Sequence, residues 1–168
     1  MRRIIYILAN VILSAIIFAS CSGVDEENTV NGFEYVDLGL PSGTKWATSN
    51  IGAKVPESAG TYFAWGEISE SNYTEAECET CNLSVADLTK HEIIKSLRLT
   101  ADYDAATYNM GIGWQTPTKQ QYEELKTNCT WMWQDKPSGY KIVAKNGKSI
   151  FLPTTGYMSD GRNLNYAN

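Results

Sequence analysis

The sequence predicts an α+β fold, and two observations support this class. Short segments of alternating or β-branched residues lie between turn-rich links, and they surround two or three stretches with helical periodicity. The chain contains no βαβ repeat and no internal repeat with a period of about 20–50 residues. We therefore expect short antiparallel strands packed against two or three helices in one domain.

Length and composition restrict the classes of protein and function that this chain can have. The chain has 168 residues, of which 43% are hydrophobic and 20% charged, as is typical of one folded domain. Its 19 acidic and 14 basic residues give a net charge of −5, so the chain lacks the basic character that nucleic-acid binding requires. Five Trp and 10 Tyr residues supply aromatic side chains for a core or for a binding surface.

Residues 1–20 have the pattern of a lipoprotein signal peptide. Arg2 and Arg3 precede a nearly apolar run over 4–18, and small residues follow it. A transmembrane anchor is the alternative, but the run is shorter than the ~20 apolar residues that span a bilayer. The segment is therefore predicted to be removed after export.

Cys21 directly follows the small residues. The stretch Phe18-Ala19-Ser20-Cys21 resembles a bacterial lipobox, which implies cleavage before Cys21 and acylation of both its sulfur and its new amino group. Two or more acyl chains, at ~0.8 kcal/mol per buried CH₂, anchor a protein stably. The predicted partner of Cys21 is the lipid bilayer. The predicted location is the outer membrane, with the protein exposed on the cell surface.

Residues 21–32 are polar and acidic, and they are predicted to form a flexible tether. Their acidic run resembles the surface-export signal of lipoproteins in Bacteroidetes-type bacteria, and a plain solvated spacer is the alternative. Loss of the two leader arginines leaves 12 basic and 19 acidic residues, so the mature net charge is 12 − 19 = −7. The globular domain is predicted over 33–168.

Three strands are predicted in the first half of this domain. Residues 33–38 alternate well enough for a strand, residues 45–48 follow a turn-rich link, and residues 61–66 follow Gly60. The Glu-rich segment 67–82 is predicted to be a polar surface loop. It lacks the residue order of a calcium-binding loop, so a solvated charged loop is favoured over a calcium site.

Three helices are predicted in the middle of the chain. The first covers 84–98, because its apolar residues recur near one face of a helix. Those residues are Val85, Leu88, Ile94 and Leu97. A second, short helix covers 104–108 and ends at Gly111. The third starts with a capping box between Thr118 and Gln121 and is predicted to bury Tyr122 and Leu125.

A β-hairpin is predicted after the third helix. Residues 140–145 and 148–152 flank the dipeptide Asn146-Gly147, whose residues tolerate positive φ in a two-residue turn. A turn of that length would place Val143 opposite Ile150.

Several segments together resemble one family. They are 35–47, 62–67 and 114–118, together with Asp104-Ala105-Ala106 before Gly111 and Asn128-Cys129-Thr130-Trp131. The pattern is similar to that of the Fibrobacter succinogenes major paralogous domain family, and it covers about 33–168. The resemblance implies a C-type-lectin-like fold, related to the formylglycine-generating-enzyme-like group, with variable binding loops on a small twisted sheet.

The chain departs from the family pattern at three places. Gln115 stands where many relatives have Arg, and Ser49 stands where many have Cys. Relatives continue well past Gly156 with a strand that completes the central sheet, so the domain is expected to be incomplete at its C-terminal end. A missing strand would leave unpaired backbone groups at an exposed sheet edge.

The cysteines favour a structural role. Cys78 and Cys81 form a CxxC pair, and a local disulfide is the favoured interpretation for an exported protein. A redox pair, or half of a zinc site with His91 and Cys129, is the alternative, but neither has the usual sequence context. Cys129 pairing with one of the two is a further possibility. No metal or cofactor is predicted.

No catalytic set is predicted. His91 is the only histidine, and no nucleophile elbow accompanies it, so a surface role is favoured. Formylglycine-type activity, which the resemblance raises as an alternative, needs reactive cysteines near the C-terminus, and no cysteine follows Cys129.

Binding is the function that the sequence favours. Alternation in a strand would place Trp131 and Trp133 on one face, where they pack into a core or, less commonly, stack against sugars. A polar terminal segment is the predicted ligand-facing region. Its candidate residues are Tyr157, Asp160, Arg162 and Asn163. We expect a membrane-anchored adhesion module for a glycan or a surface protein; an exported formylglycine-type enzyme and a structural subunit of a surface assembly are the alternatives.

Overall fold

The computed structural model describes residues 28–70, 78–80, 82–159 and 163–165, with side chains described up to residue 156. Within these residues the chain forms three α-helices and ten short strands, and every strand pairing is antiparallel. The α+β class expected from the sequence is confirmed at this level.

The largest sheet has three strands in chain order. They are β6 (Cys129–Asp135), β7 (Ser138–Ala144) and β8 (Ser149–Pro153). The predicted β7–β8 hairpin is confirmed, but its predicted register is wrong by one residue. Val143 lies opposite Ser149 rather than Ile150.

The register differs because the connecting loop has three residues rather than two. The Ala144 backbone N–H donates to the carbonyl of Lys148 at 2.9 Å, and Gly147 N–H donates to the carbonyl of Ala144 at 3.0 Å. Gly147 alone takes a left-handed conformation, with φ +82°, so Asn146 is not part of a two-residue primed turn. The observed register places Ile142 opposite Ile150, and both are buried.

A second small sheet lies at the N-terminal side. It contains β1 (Thr29–Val30), β2 (Phe33–Val36) and β3 (Trp46–Ala47). The predicted strands over 33–38 and 45–48 are confirmed with shorter bounds. Strand β1 lies within 21–32, the segment predicted as a tether, and it pairs with β2.

The strand predicted over 61–66 is wrong. Thr61 N–H donates to the carbonyl of Ile51 at 2.8 Å, but the following residues join no sheet. Gly66 ends the extended stretch in a turn, with φ +84°, and the Glu67 N–H closes that turn onto the carbonyl of Ala64. Of the aromatic residues that suggested a strand, Tyr62 and Phe63 line a cavity instead, and Trp65 is exposed.

The first helix is shorter than predicted. Helix α1 (Val85–Lys90) starts at Ser84, whose hydroxyl accepts from the Asp87 N–H, and it is followed by the hairpin of β4 (Ile94–Lys95) and β5 (Arg98–Leu99). The prediction of a helix through residue 98 is wrong because Glu92, Ser96 and Leu97 adopt positive φ. Glu92 lies directly after the C-cap of α1, and Ser96 and Leu97 form the turn between β4 and β5.

Helices α2 (Ala105–Met110) and α3 (Lys119–Asn128) agree with the predictions. Asp104 caps α2, which ends at Gly111, and the capping box of Thr118 and Gln121 is formed. Leu125 is fully buried as expected. Tyr122, in contrast, is 42% exposed, so its predicted burial is wrong.

Two separate apolar clusters stabilise the described chain. The larger lies between α3, the main sheet and the segment after β2. Its buried members are Leu38, Leu40, Leu125, Ile142, Ala144 and Ile150. The smaller contains Leu88, Ile93 and Ile94 and holds α1 against the β4–β5 hairpin. A final hairpin pairs β9 (Tyr157–Ser159) with β10 (Asn163–Asn165).

Candidate functional site: an aromatic strip beside a large cavity

The described chain contains a cavity of about 1240 Å³. Most of its walls come from four parts of the sequence, within 42–51, 59–64, 106–122 and 151–156, and Val30, Tyr35 and Cys78 complete the described lining. These parts include β3, the segment predicted as a strand over 61–66, the link before α3, and the end of β8. The cavity therefore lies where the two sheets and the helical region meet.

The cavity wall is aromatic and nearly uncharged. Seven aromatic residues line it: Tyr35, Trp46, Tyr62, Phe63, Trp114, Tyr122 and Phe151. Lys45 is the one charged side chain among the described lining residues, and its ammonium lies 4.5 Å from the centroid of the Tyr35 ring. Amides and hydroxyls, including those of Asn50, Thr61 and Gln115, supply polar groups. Such a wall suits an uncharged ligand that presents both apolar surface and hydrogen-bonding groups.

Tertiary hydrogen bonds fix the wall formed by 59–66. The Tyr62 hydroxyl donates to the carbonyl of Thr155, which ties this segment to the chain after β8. The buried hydroxyl of Thr80 donates to the carbonyl of Trp65, and the Thr80 N–H donates to the Glu67 carboxylate at 3.3 Å. These bonds explain how a segment outside any sheet keeps its aromatic side chains on the cavity.

Four aromatic rings form a second feature, which we call the aromatic strip. It runs in the order Tyr122, Trp131, Tyr140, Trp133, with ring centroids 5.9, 5.6 and 5.1 Å apart and edge-to-face packing throughout. Trp131 and Trp133 share one face of β6, and Tyr140 lies opposite Trp133 on β7. The expectation that the two tryptophans share a face is confirmed.

The two ends of the strip have different surroundings. Trp131 packs against the larger apolar cluster and is therefore part of the core rather than of an exposed binding surface. Its indole N–H is buried without an acceptor among the described residues. Trp133 is 50% exposed, and its Nε1–H donates to the Asp135 carboxylate at 2.8 Å, which fixes the orientation of the ring. The strip is thus anchored in the core at one end and open to solvent at the other.

The tyrosines of the strip supply polar groups. Tyr122 and Tyr140 are both more than 40% exposed, and neither hydroxyl makes a hydrogen bond within the described chain. Tyr122 also lines the cavity, so the strip and the cavity meet at this side chain. A ligand on the strip would therefore contact ring surface and hydroxyl groups together.

Of the two cysteines that the structure describes, one is bonded and one is free. Cys78 is buried and forms a disulfide, whereas Cys129 is free, so the possible pairing of Cys129 with Cys78 is wrong. The predicted partner Cys81 lies outside the described residues, as does the predicted lipidation site Cys21. Burial raises the pKa of the Cys129 thiol above its ordinary value of 9.0, so this thiol is not activated as a nucleophile.

The residues predicted to contact a ligand are only partly described. Tyr157 lies in β9 and Asn163 in β10, where Asn163 is opposite Ser159, and the description of both is limited to the backbone. Asp160 and Arg162 lie outside the described residues. The cavity and the tyrosines of the strip were not predicted from the sequence. The density of aromatic residues over 61–65 was the available signal, but it was assigned to a strand.

Other candidate features carry little chemistry. His91 is exposed at the end of α1, as expected for a surface histidine. Within the described ranges, no group of three His, Cys, Asp or Glu residues is placed to hold a metal ion. A search of the same ranges finds no helix with the length and apolar character to cross a membrane.

Comparisons with protein-family models, curated proteins and solved structures find no match.

Proposed function

We propose that this protein is an exported lipoprotein, anchored through acylated Cys21, whose domain binds a glycan on its aromatic strip. The observation that carries the proposal is the strip itself. Its outer rings are exposed and held in place by packing and by the bond between Trp133 and Asp135. Rigid, exposed aromatic rings of this kind are more often found at binding surfaces than on inert surfaces.

The chemistry of the strip favours sugars among the possible ligands. The face of an aromatic ring carries partial negative charge and attracts the weakly positive C–H groups on one face of a pyranose. The hydroxyls of Tyr122 and Tyr140 are available to exchange hydrogen bonds with sugar hydroxyls. Membership of the major paralogous domain family and a C-type-lectin-like fold are part of this proposal, and they rest on the sequence motifs.

The binding part of the proposal is tested with soluble oligosaccharides of glucose, galactose and N-acetylglucosamine. We expect Trp133→Ala to weaken binding of the recognised oligosaccharide at least tenfold, because it removes the most exposed ring of the strip. Met132→Ala is the matched control, since Met132 is 43% exposed on the opposite face of β6. Equal binding by wild type and Trp133→Ala, or no binding to any oligosaccharide, would contradict the proposal.

The anchoring part needs a separate measurement. Mass spectrometry of the protein purified from its native bacterium should find a chain that begins at Cys21 and carries acyl groups on the sulfur and the amino group. An intact leader, or an unmodified Cys21, would show that the proposed membrane anchor is wrong.

A further inference from the structure

The outer edge of β8 carries unpaired backbone groups. Hydrogen bonds join Ala144 to Lys148 and Ser138 to Thr154, at the two ends of the β7–β8 pair. Because hydrogen-bonded and non-bonded positions alternate in an antiparallel ladder, the N–H and C=O groups of Ser149 and Phe151 point away from β7. Neither residue makes another hydrogen bond within the described chain, and β8 is the last strand of its sheet there.

The large cavity lies at this edge. Phe151 and Leu152 in β8, and Thr155 and Gly156 after it, line the cavity. Phe151 is half-buried there, and an unpaired backbone group is costly at a half-buried position.

The end of β8 is consistent with an edge position. Pro153 lies opposite Gly139, at a position where a backbone N–H would point outward. Proline has no such N–H, and it is tolerated in strands mainly where the N–H side faces away from the sheet. Pro153 therefore offers an additional strand only its carbonyl acceptor, whereas Ser149 and Phe151 each offer a donor and an acceptor.

The size and charge of the cavity narrow the choice of occupant. Pockets for drug-sized ligands usually enclose about 300–1,000 Å³, and this cavity encloses about 1240 Å³. Several separate parts of the chain surround it, so it admits a single extended segment more readily than the edge of a second folded sheet. Among the described lining residues Lys45 is the one charged side chain, and this fits a segment with few charges and at most an acidic residue near Lys45.

We propose that the outer edge of β8 accepts an extended, largely uncharged peptide segment of another polypeptide, which pairs with Ser149 and Phe151 and fills the cavity. Pairing of this kind takes its affinity from main-chain hydrogen bonds and its specificity from pockets for alternate side chains. The aromatic lining residues Trp46, Tyr62 and Trp114 provide such pockets. This protein-binding site shares Tyr122 with the aromatic strip, but the exposed end of the strip, at Trp133 and Tyr140, lies outside the cavity lining.

The probe for this proposal is a phage-displayed library of random nonapeptides, selected on the mature protein. The selected peptides should alternate apolar residues. Their binding should protect the Ser149 and Phe151 amides from hydrogen exchange, while the Ile150 amide, which already faces β7, changes little. Failure to enrich any peptide, or protection of neither amide, would overturn the proposal.

A pair of variants at one position isolates the backbone contribution. Phe151→Pro removes the outward N–H, whereas Phe151→Leu keeps it, and both variants lose the phenyl ring. We expect Phe151→Pro to bind the selected peptide about tenfold more weakly than Phe151→Leu, with circular dichroism confirming that both are folded. Equal affinities would overturn the proposal.

Two further results would assign the edge differently. A dimer of the wild-type protein that Phe151→Pro abolishes would identify a second copy of this chain as the occupant. Selected peptides whose binding depends on Trp133 and not on Phe151 would show that peptides use the strip. Either result contradicts the proposed occupancy of the edge by another polypeptide. Oligosaccharide binding that survives in Phe151→Pro would separate this site from the proposed glycan surface.

Discussion

The carboxylate of Asp104 accepts the backbone N–H of Thr116 with both of its oxygens, at 3.1 and 3.0 Å. The same carboxylate accepts the N–H of Thr107 at 3.0 Å and so caps α2. One buried side chain thus joins the start of α2 to the link that precedes α3. That link includes residues on the cavity wall, so Asp104 positions the site without taking part in it.

Replacing Asp104 should be strongly destabilising. Asp104→Ala removes the cap of α2 and leaves the Thr116 N–H without its acceptor, so we expect a loss of about 2–4 kcal/mol in the free energy of unfolding. Urea denaturation followed by tryptophan fluorescence measures this loss. Asp102→Ala, which removes an exposed carboxylate two residues away, should change stability by less than about 0.5 kcal/mol. Equal effects of the two variants would mean that the Asp104 bonds contribute little.

We expect Thr80 to stabilise the fold through the hydrogen bond of its hydroxyl group rather than through the shape of its side chain. Thr80→Val keeps the volume but leaves the Trp65 carbonyl without its donor, and we expect a cost of about 1–3 kcal/mol. Thr127→Val is a suitable control, because the exposed Thr127 hydroxyl donates to the carbonyl of Glu123 within α3. The midpoint of thermal unfolding should fall clearly for the first variant and little for the second. A reversed order would show that the contact at Trp65 is not structural.

Gly139 is required for the close approach of β7 and β8. A Cβ atom at this position would lie 2.5 Å from the carbonyl oxygen of Leu152 and 2.6 Å from Cζ of Phe151. We expect Gly139→Ala to cost about 1–3 kcal/mol, since the Phe151 ring and the β8 backbone must both move. Gly147→Ala has no neighbour within 4 Å and should cost only the strain of its positive φ, about 1–2 kcal/mol. Chemical denaturation that ranks Gly147→Ala as the more damaging change would contradict this account of the packing.

The free thiol of Cys129 should be slow to react at neutral pH. Burial raises its pKa above 9.0, so the thiolate fraction stays small until the solution is strongly alkaline. Because the unfolded chain releases this proton at a lower pH than the folded chain, stability should decline as the pH rises above 9.0. The rate of alkylation by iodoacetamide between pH 7 and 10, with Cys129→Ser as the blank, measures the shift. Rapid labelling of the folded protein at pH 7 would rule it out.

Local sequence signals predicted the elements whose caps and turns are short-range. The Thr118–Gln121 capping box depends on residues three apart, and Gly111 marks the end of α2, so both helices could be placed from the sequence. Leu125 was predicted to be buried for the same reason, because helical periodicity is strong there.

The errors arose where tertiary contacts decide the backbone conformation. Residues beyond α1 have helical spacing, yet Ile93 and Ile94 are buried in the smaller cluster by a hairpin instead. The stretch over 61–66 has the composition of a strand, but no neighbouring strand in the described chain pairs with it, and Tyr62 bonds to Thr155 instead. The cavity could not be predicted because it is assembled from distant parts of the chain.

The separation of the two apolar clusters should determine which part of the molecule unfolds first. The smaller cluster, built on Leu88, Ile93 and Ile94, shares no buried member with the larger one. The region around α1 and its hairpin should therefore open as a cooperative unit of its own, before the main sheet melts. Brief exposure to a protease at moderate temperature would then nick this region first. The aromatic strip and the outer edge of β8 should stay folded after this cleavage. Both are supported by the main sheet, whose buried residues belong to the larger cluster.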